Sequence, residues 1–346
     1  MVLPERGLVR LWGHGRLGAP PGLGVPAGNA PGARVRLFFS PDYVVDTGGS
    51  AFQTGKFALT VERLLEEGVV RAEDVADPVP AAEADLVLAH APEWVEKVLR
   101  TGLSAAEEAL LELPWSPALA LAHVKCAGGT LGAAREALGT GLGLHAGGGS
   151  HHAFPDHGEG FCVFNDLAVA LLVLRREDPA FRAAVVDLDA HQGNGTAAIL
   201  AGRDGLSTFS MHQEDLYPFG AQIPWSAGPR AGTLDVGVPA GTSDAKYLKL
   251  LAERLPRFLE GCPALVLYQA GVDPWEGDRL GGLKLTEEGL AQRDRMVFET
   301  CFQKGVPVAV TLGGGYADSA ATTARLHART LREAADCHRR SWHPHG

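Results

Sequence analysis

The stretch Val185-Val186-Asp187-Leu188-Asp189-Ala190-His191-Gln192-Gly193-Asn194-Gly195-Thr196 decides the reading of this chain. An apolar run enters three potential ligands spaced two apart and leaves through a glycine-bracketed turn. In an extended strand, residues i, i+2 and i+4 point the same way. Asp187, Asp189 and His191 are therefore expected to project from one side of a strand end. No packing need calls for two carboxylates and an imidazole there. Bare buried carboxylates are costly unless a cation or donors compensate, and a divalent ion is the simplest compensation.

Three further segments point the same way. Gly147-Gly148-Gly149-Ser150-His151-His152 is a glycine-rich loop delivering two adjacent imidazoles after the apolar stretch 142–145. Tyr268-Gln269-Ala270-Gly271-Val272-Asp273 is a second strand ending in an aspartate, and Leu312-Gly313-Gly314-Gly315-Tyr316 is a strand end, a glycine run and a tyrosine. Each signal falls just past an expected strand. In open α/β sheets ligands bind outside the carboxyl ends of the strands, so one shared site is expected.

Strands are expected at 35–39, 86–89, 183–188, 207–211, 264–268 and 306–311. Helices are expected at 55–67, 92–99, 117–138, 165–177, 196–201, 243–259, 286–303 and 317–335. Strands alternating with helices of this length imply a parallel sheet covered on both faces. Residues 1–34 are rich in Gly, Pro and Arg with little periodicity and read as a flexible extension, leaving 35–340 as one catalytic domain. With 346 residues, the chain can bury a large core.

A formal net charge of −10 disfavours a direct nucleic-acid partner. Five cysteines without a CxxC pair fit a reducing, cytoplasmic compartment rather than a disulfide framework. No apolar run reaches the roughly 18 residues a membrane span needs, so no membrane partner is expected. His90, His123, His145 and His212 read as structural and His157 as a solvated loop residue. The His343-Pro344-His345 segment reads as a frayed tail. Cys162 reads as a small buried neighbour of the site, since no base is evident for it.

In this order the motifs resemble the zinc-dependent histone deacetylase family of the arginase/deacetylase superfamily. The resemblance is carried by Gly147 to His152, Gly160-Phe161-Cys162-Val163-Phe164-Asn165-Asp166, the Asp187–Gly195 run, Asp273 with Glu276-Gly277-Asp278-Arg279-Leu280-Gly281-Gly282, and Gly313 to Tyr316. The Ala190-Gln192-Asn194 variant looks most like the class IV branch. The resemblance implies an α/β, single-domain arginase/deacetylase fold with a mainly parallel eight-stranded sheet covered by helices on both faces. It implies Zn2+ as cofactor, with Fe2+ as an alternative ion and a structural K+ near the backbone of Asp187, Asp189 and His191.

The resemblance also assigns roles. Asp189, His191 and Asp273 match the metal ligands. His152 matches the general base that later serves as acid, and His151 the group that tunes charge and orients water. Asp187 matches the partner of His151, and Asn194 the partner of His152, where many family members carry aspartate. Tyr316 matches the tyrosine that polarises the substrate carbonyl. Phe161 and Tyr217 are expected to wall a substrate tunnel, with Leu280 at its rim and the backbone of Gly160 and Gly314 bonding the substrate amide. The implied substrate is acyl-lysine in protein, acetyl or longer, or a small acylated amine such as an acetylpolyamine. Oligomeric state stays open.

Two other classes are weighed. An arginase-like ureohydrolase with two ions needs further ligands where this chain has Gly193 and Gly271. An inactive acyl-lysine binder would not need the full set of ligands, histidines and tyrosine.

Overall fold

The computed structural model describes residues 35–218 and 233–342. The flexible extension expected at 1–34 and the tail around His343 lie outside these. An eight-stranded sheet runs in the order β2-β1-β3-β8-β7-β4-β5-β6, and every pairing is parallel. The strands are β1 (Leu37–Phe38), β2 (Val75–Ala76), β3 (Leu142–His145), β4 (Ala183–Asp187), β5 (Leu206–Gln213), β6 (Thr233–Val238), β7 (Leu265–Gln269) and β8 (Val308–Thr311).

The central strands are buried on both faces, and side-chain alternation sorts them into two cores. In β4, Ala184 and Val186 join one core, while Ala183 and Val185 join the other. In β7, Val266 and Tyr268 divide from Leu265 and Leu267 in the same way. The first core is closed by α1 (Gly55–Glu66), α8 (Asp244–Phe258), α9 (Glu287–Gln303) and α10 (Ala320–Ser341). The second is closed by α5 (Pro117–Thr140), α6 (Asp166–Glu177) and α7 (Asn194–Leu200). This is why these strands read as continuous apolar runs rather than alternating ones.

Helix starts follow local capping. The side chains of Asn165, Thr286 and Ser319 accept the N–H groups of Ala168, Gly289 and Thr322 at the starts of α6, α9 and α10. The expected strand at 86–89 is not one. Its start completes a short helix, α2 (Glu83–Leu86), and turns follow. Leu86 and Ala89 are buried while Val87 is exposed, a helical spacing that a four-residue apolar run cannot reveal. The expected helix at 92–99 begins as α3 (Pro92–Glu96), whereas strands β2 and β6, and the helix α4 (Ala105–Leu111), were not expected from the sequence. Among the described residues no helix is long and apolar enough to cross a membrane.

Candidate metal centre and active site

Four strands that are neighbours at the middle of the sheet, β3, β8, β7 and β4, carry the site at their carboxyl ends. The β4 strand stops at Asp187, so the following residues are loop rather than strand. The loop still brings the expected groups together. Asp189, His191 and Asp273 each place one ligand atom within 4.8 Å of the others, all buried.

Backbone groups fix these carboxylates. Asp189 Oδ2 accepts the Gly314 N–H at 2.8 Å, and Asp273 Oδ1 accepts the Ala190 N–H at 2.8 Å. The remaining oxygens, Asp189 Oδ1 and Asp273 Oδ2, each lie 3.0 Å from His191 Nδ1. Burial lowers the affinity of His191 for a proton, but the two carboxylates outweigh it and raise its pKa to about 10. Burial, reinforced by Asp189, pushes Asp273 up to about 7. One imidazole nitrogen facing two buried carboxylate oxygens is a donor set suited to a divalent cation with nitrogen and oxygen ligands.

Arg293 on α9 holds the two ligand loops in register. Its guanidinium is fully buried and donates to the carbonyls of Leu188 at 3.0 Å and Gly271 at 2.6 Å. Glycine is required at the closest approaches. A Cβ at Gly314 would come within 2.1 Å of Asp273 Oδ2, and one at Gly271 within 2.2 Å of Asp189 Oδ2.

The histidine pair lies against this centre. Its loop hangs on Asp166, which accepts the N–H groups of Gly149 and Ser150, and on Gln269, which donates to the Gly149 carbonyl. His151 Nδ1 is 2.7 Å from Asp187 Oδ2, and His152 Nδ1 is 2.7 Å from Asn194 Oδ1. Burial opposes the charging of His151, but Asp187 and Asp189 raise its pKa to about 9. Burial holds His152 well below the imidazole range, helped by the charges of His151 and His191.

Tyr316 stands opposite, its ring centroid 6.2 Å from that of His191. Burial and then the Asp189 and Asp273 charges raise its phenol well above its usual pKa, so the hydroxyl stays a donor. Its backbone N–H goes to Asp278 Oδ2 at 2.7 Å. Lys56, wholly buried on α1, supports the same loop. Its ammonium donates to the carbonyls of Gly313 and Gly315 at 3.1 and 3.3 Å and lies 5.3 Å from the Tyr316 ring centroid. Burial lowers its pKa to about 8.

The expected tunnel residues fall on three sides. Phe161 stacks on Phe52 at 5.6 Å and lies 5.8 Å from Tyr316, while Tyr217 meets His152 edge-on at 5.0 Å. Phe161 has φ 67°, a left-handed conformation that is costly for a bulky residue. The Leu111 carbonyl accepts its N–H at 2.9 Å and helps to hold it there. Leu280 is half-buried in the loop ordered by Asp278, which accepts its N–H. Gly160 differs from expectation in part, since its N–H is already given to the Leu110 carbonyl at 3.3 Å. Gly314 differs from expectation. Its N–H is held by Asp189 and its carbonyl already accepts the Val272 N–H, so its clear contribution is close approach to the ligands.

Lys56, Glu159, Gln269, Asp278 and Arg293 were not singled out from the sequence. His157 also differs from a solvated loop residue: it stacks on Phe154 at 4.8 Å and lies 3.5 Å from the Glu159 carboxylate. His90 and His145 are structural, bonded to the Phe154 carbonyl and to Tyr43 respectively. Burial pushes the Cys162 thiol far up, out of nucleophile range.

Comparison with known proteins gives a consistent picture. Residues 50–331 match the family model described as Histone deacetylase domain. An uncharacterised protein of Picosynechococcus sp. is 39% identical over 302 residues, covering 87% of this chain and 98% of that protein. Histone deacetylase 2 of Arabidopsis thaliana is 28% identical over 304 residues, covering 85% of this chain and 77% of its own length. Acetoin utilization protein AcuC of Staphylococcus aureus is 30% identical over 256 residues, covering 69% of this chain and 65% of that protein. The crystal structure of an HDAC homolog complexed with SAHA matches with a TM-score of 0.75 at 23% identity, over 88% of this chain and 84% of that one. An HDAC homolog from Aquifex aeolicus gives 0.74 at 22% identity, with the same coverage. These two share the fold.

Proposed function

We propose that this chain, which belongs to the histone deacetylase family, is a zinc-dependent amidohydrolase that removes an acyl group from acyl-lysine. The observation that carries the reading is His191 Nδ1 facing two buried carboxylate oxygens at 3.0 Å beside an imidazole held neutral. Asp189, His191 and Asp273 would hold the ion. When bound, it supplies Lewis acidity toward the amide carbonyl and the attacking water.

The chain's own groups supply the rest. His152, unprotonated at Nε2, takes the proton from water and returns it to the leaving amine. His151, kept cationic by Asp187, adds positive charge where the carbonyl oxygen becomes negative. The Tyr316 hydroxyl donates to that oxygen. Phe161 and Tyr217 offer apolar walls to the uncharged acyl-amine stem, and the products are a carboxylate and a free amine.

A small acylated amine is the second reading. Glu112 favours it, because it directly follows Leu111, whose carbonyl accepts the Phe161 N–H at 2.9 Å, and an anion near the walls suits a cationic remainder. A two-ion ureohydrolase is disfavoured. Side chains at Gly193 and Gly271 would strike Asp187 and Asp189 at 2.3 and 2.2 Å, and a single three-ligand group occurs among the described residues.

Metal analysis and turnover on acyl-lysine peptides and acylpolyamines test the proposal together. We expect one divalent ion per chain and hydrolysis, both lost in Asp189→Ala, His191→Ala and Asp273→Ala. Two tightly bound transition ions, or full turnover without metal, would defeat it. The substrate panel separates the two readings.

A further inference from the structure

We propose that Glu159 is a positioning residue for hydrolysis: its carboxylate orients the amide of Asn194 and thereby sets the tautomer of His152. The proposal rests on the reading of His152 as the base. The two ends of an asparagine amide are alike in shape and opposite in hydrogen-bond sense. With Asn194 Oδ1 at 2.7 Å from His152 Nδ1, that nitrogen must carry the proton, which leaves the lone pair on Nε2. The reversed amide would set an NH2 group against Nδ1 and drive the proton to Nε2, where it blocks base catalysis.

Asn194 alone has no reason to prefer one orientation. Glu159 supplies it. A carboxylate oxygen only accepts, and Glu159 Oε1 lies 2.7 Å from Asn194 Nδ2. The NH2 end is thus drawn to Glu159 and the carbonyl end to His152. Glu159 is itself held in place. It is buried, the Tyr217 phenol donates to it, and His157 Nε2 lies 3.5 Å from Oε2. Its backbone carbonyl accepts the Cys162 N–H at 2.9 Å. Its neighbour Gly160 presses on the same two rings, since a Cβ there would come within 2.9 Å of both His152 and Tyr217. The negative charge that His151 receives directly from Asp187 thus stands one amide further from His152.

A merely structural Glu159 would tie down its loop without dictating a tautomer. Nitrogen-15 NMR of the histidine rings in the purified wild-type chain and in Glu159→Gln, with His152 assigned by its loss in His152→Ala, separates the two. In the wild type we expect protonated Nδ1 and unprotonated Nε2. The opposite tautomer overturns the proposal whatever the variants do.

In Glu159→Gln, whose amide can present either end to Asn194, we expect mixed tautomers. We also expect kcat to fall roughly tenfold, with KM for an acyl-lysine peptide changing less than about twofold. In Glu159→Gln/Asn194→Asp the introduced carboxylate can only accept from His152, and the introduced amide can donate to it and accept from Tyr217. This pair should restore the wild-type tautomer and recover most of kcat. Unchanged kcat in the single variant, or a double variant no better than the single, overturns the proposal. Should Glu159→Gln fail to fold, the double variant is compared with wild type: the wild-type tautomer with most of kcat supports the proposal, and a reversed or mixed tautomer overturns it. Full turnover in His152→Ala overturns the base assignment instead, whichever tautomer the wild type shows.

Discussion

His151 and His152 are adjacent in the chain, equally buried at 4% and 5% exposure, with ring centroids 4.0 Å apart. Each Nδ1 lies 2.7 Å from one oxygen. Yet His151 is raised to about 9 while His152 is held well below the usual range. Burial lowers both. For His151 the carboxylates of Asp187 and Asp189 outweigh it, whereas His152 bonds only the neutral amide of Asn194 and also faces the charges of His151 and His191. The pair thus divides its work. One ring is a fixed positive charge and the other a neutral base, made from the same residue type in the same loop.

The largest expected effect breaks the pair outright. His152→Ala should cost about 10²–10⁴ in turnover, the range for a lost general base, and His151→Ala less. Equal losses, or the reverse order, in steady-state kinetics would end the division of labour. Next comes a group outside both pairs. Tyr316→Phe should keep its metal and lose about 10²–10³ in kcat, the size of one lost oxyanion donor, with both limbs of the pH–rate profile in place. A limb that moved would tie Tyr316 to the titration of the pair.

The smallest effect makes the two partners alike. In the Glu159→Gln/Asn194→Asp chain a carboxylate meets His152 directly and raises its pKa. A base that must start neutral then stays protonated to higher pH, so the acidic limb should move upward relative to wild type. An unmoved limb would show that another group sets it. Asn194→Asp alone is a poorer probe, because the new carboxylate would face Glu159 where the amide now lies at 2.7 Å, and the two would share a proton.

The sequence exposed those parts of the site whose chemistry has no packing excuse. Asp187, Asp189, His191 and the histidine pair are residue types that an apolar strand end does not otherwise recruit. Their supports were hidden because their partners are remote. Lys56 reads as an ordinary helix residue until it is seen against carbonyls some 257 positions away, and Arg293 until it is seen against Leu188. Glu159 left one usable signal: a carboxylate between two glycines beside the pair, in a chain carrying asparagine at 194. The fold was legible where strands are long and buried on both faces, as in β4 and β7. It was not at β2, with only two residues, nor at β6, a partly exposed edge strand.

The two-faced packing of β4 bears on how this stretch can change over time. Its residues alternate between opposite cores, and the strand is paired on both sides, with Asp187 beside Ser210 and Gln269. Adding or deleting one residue at Val185 would exchange the two faces and turn Asp187 away from His151 in the same step. A swap of valine for isoleucine disturbs one core slightly, whereas a shift in length disturbs both cores and the chemistry together. Insertions and deletions should therefore be far rarer here among relatives than substitutions, for the strand can change its residues but not their number.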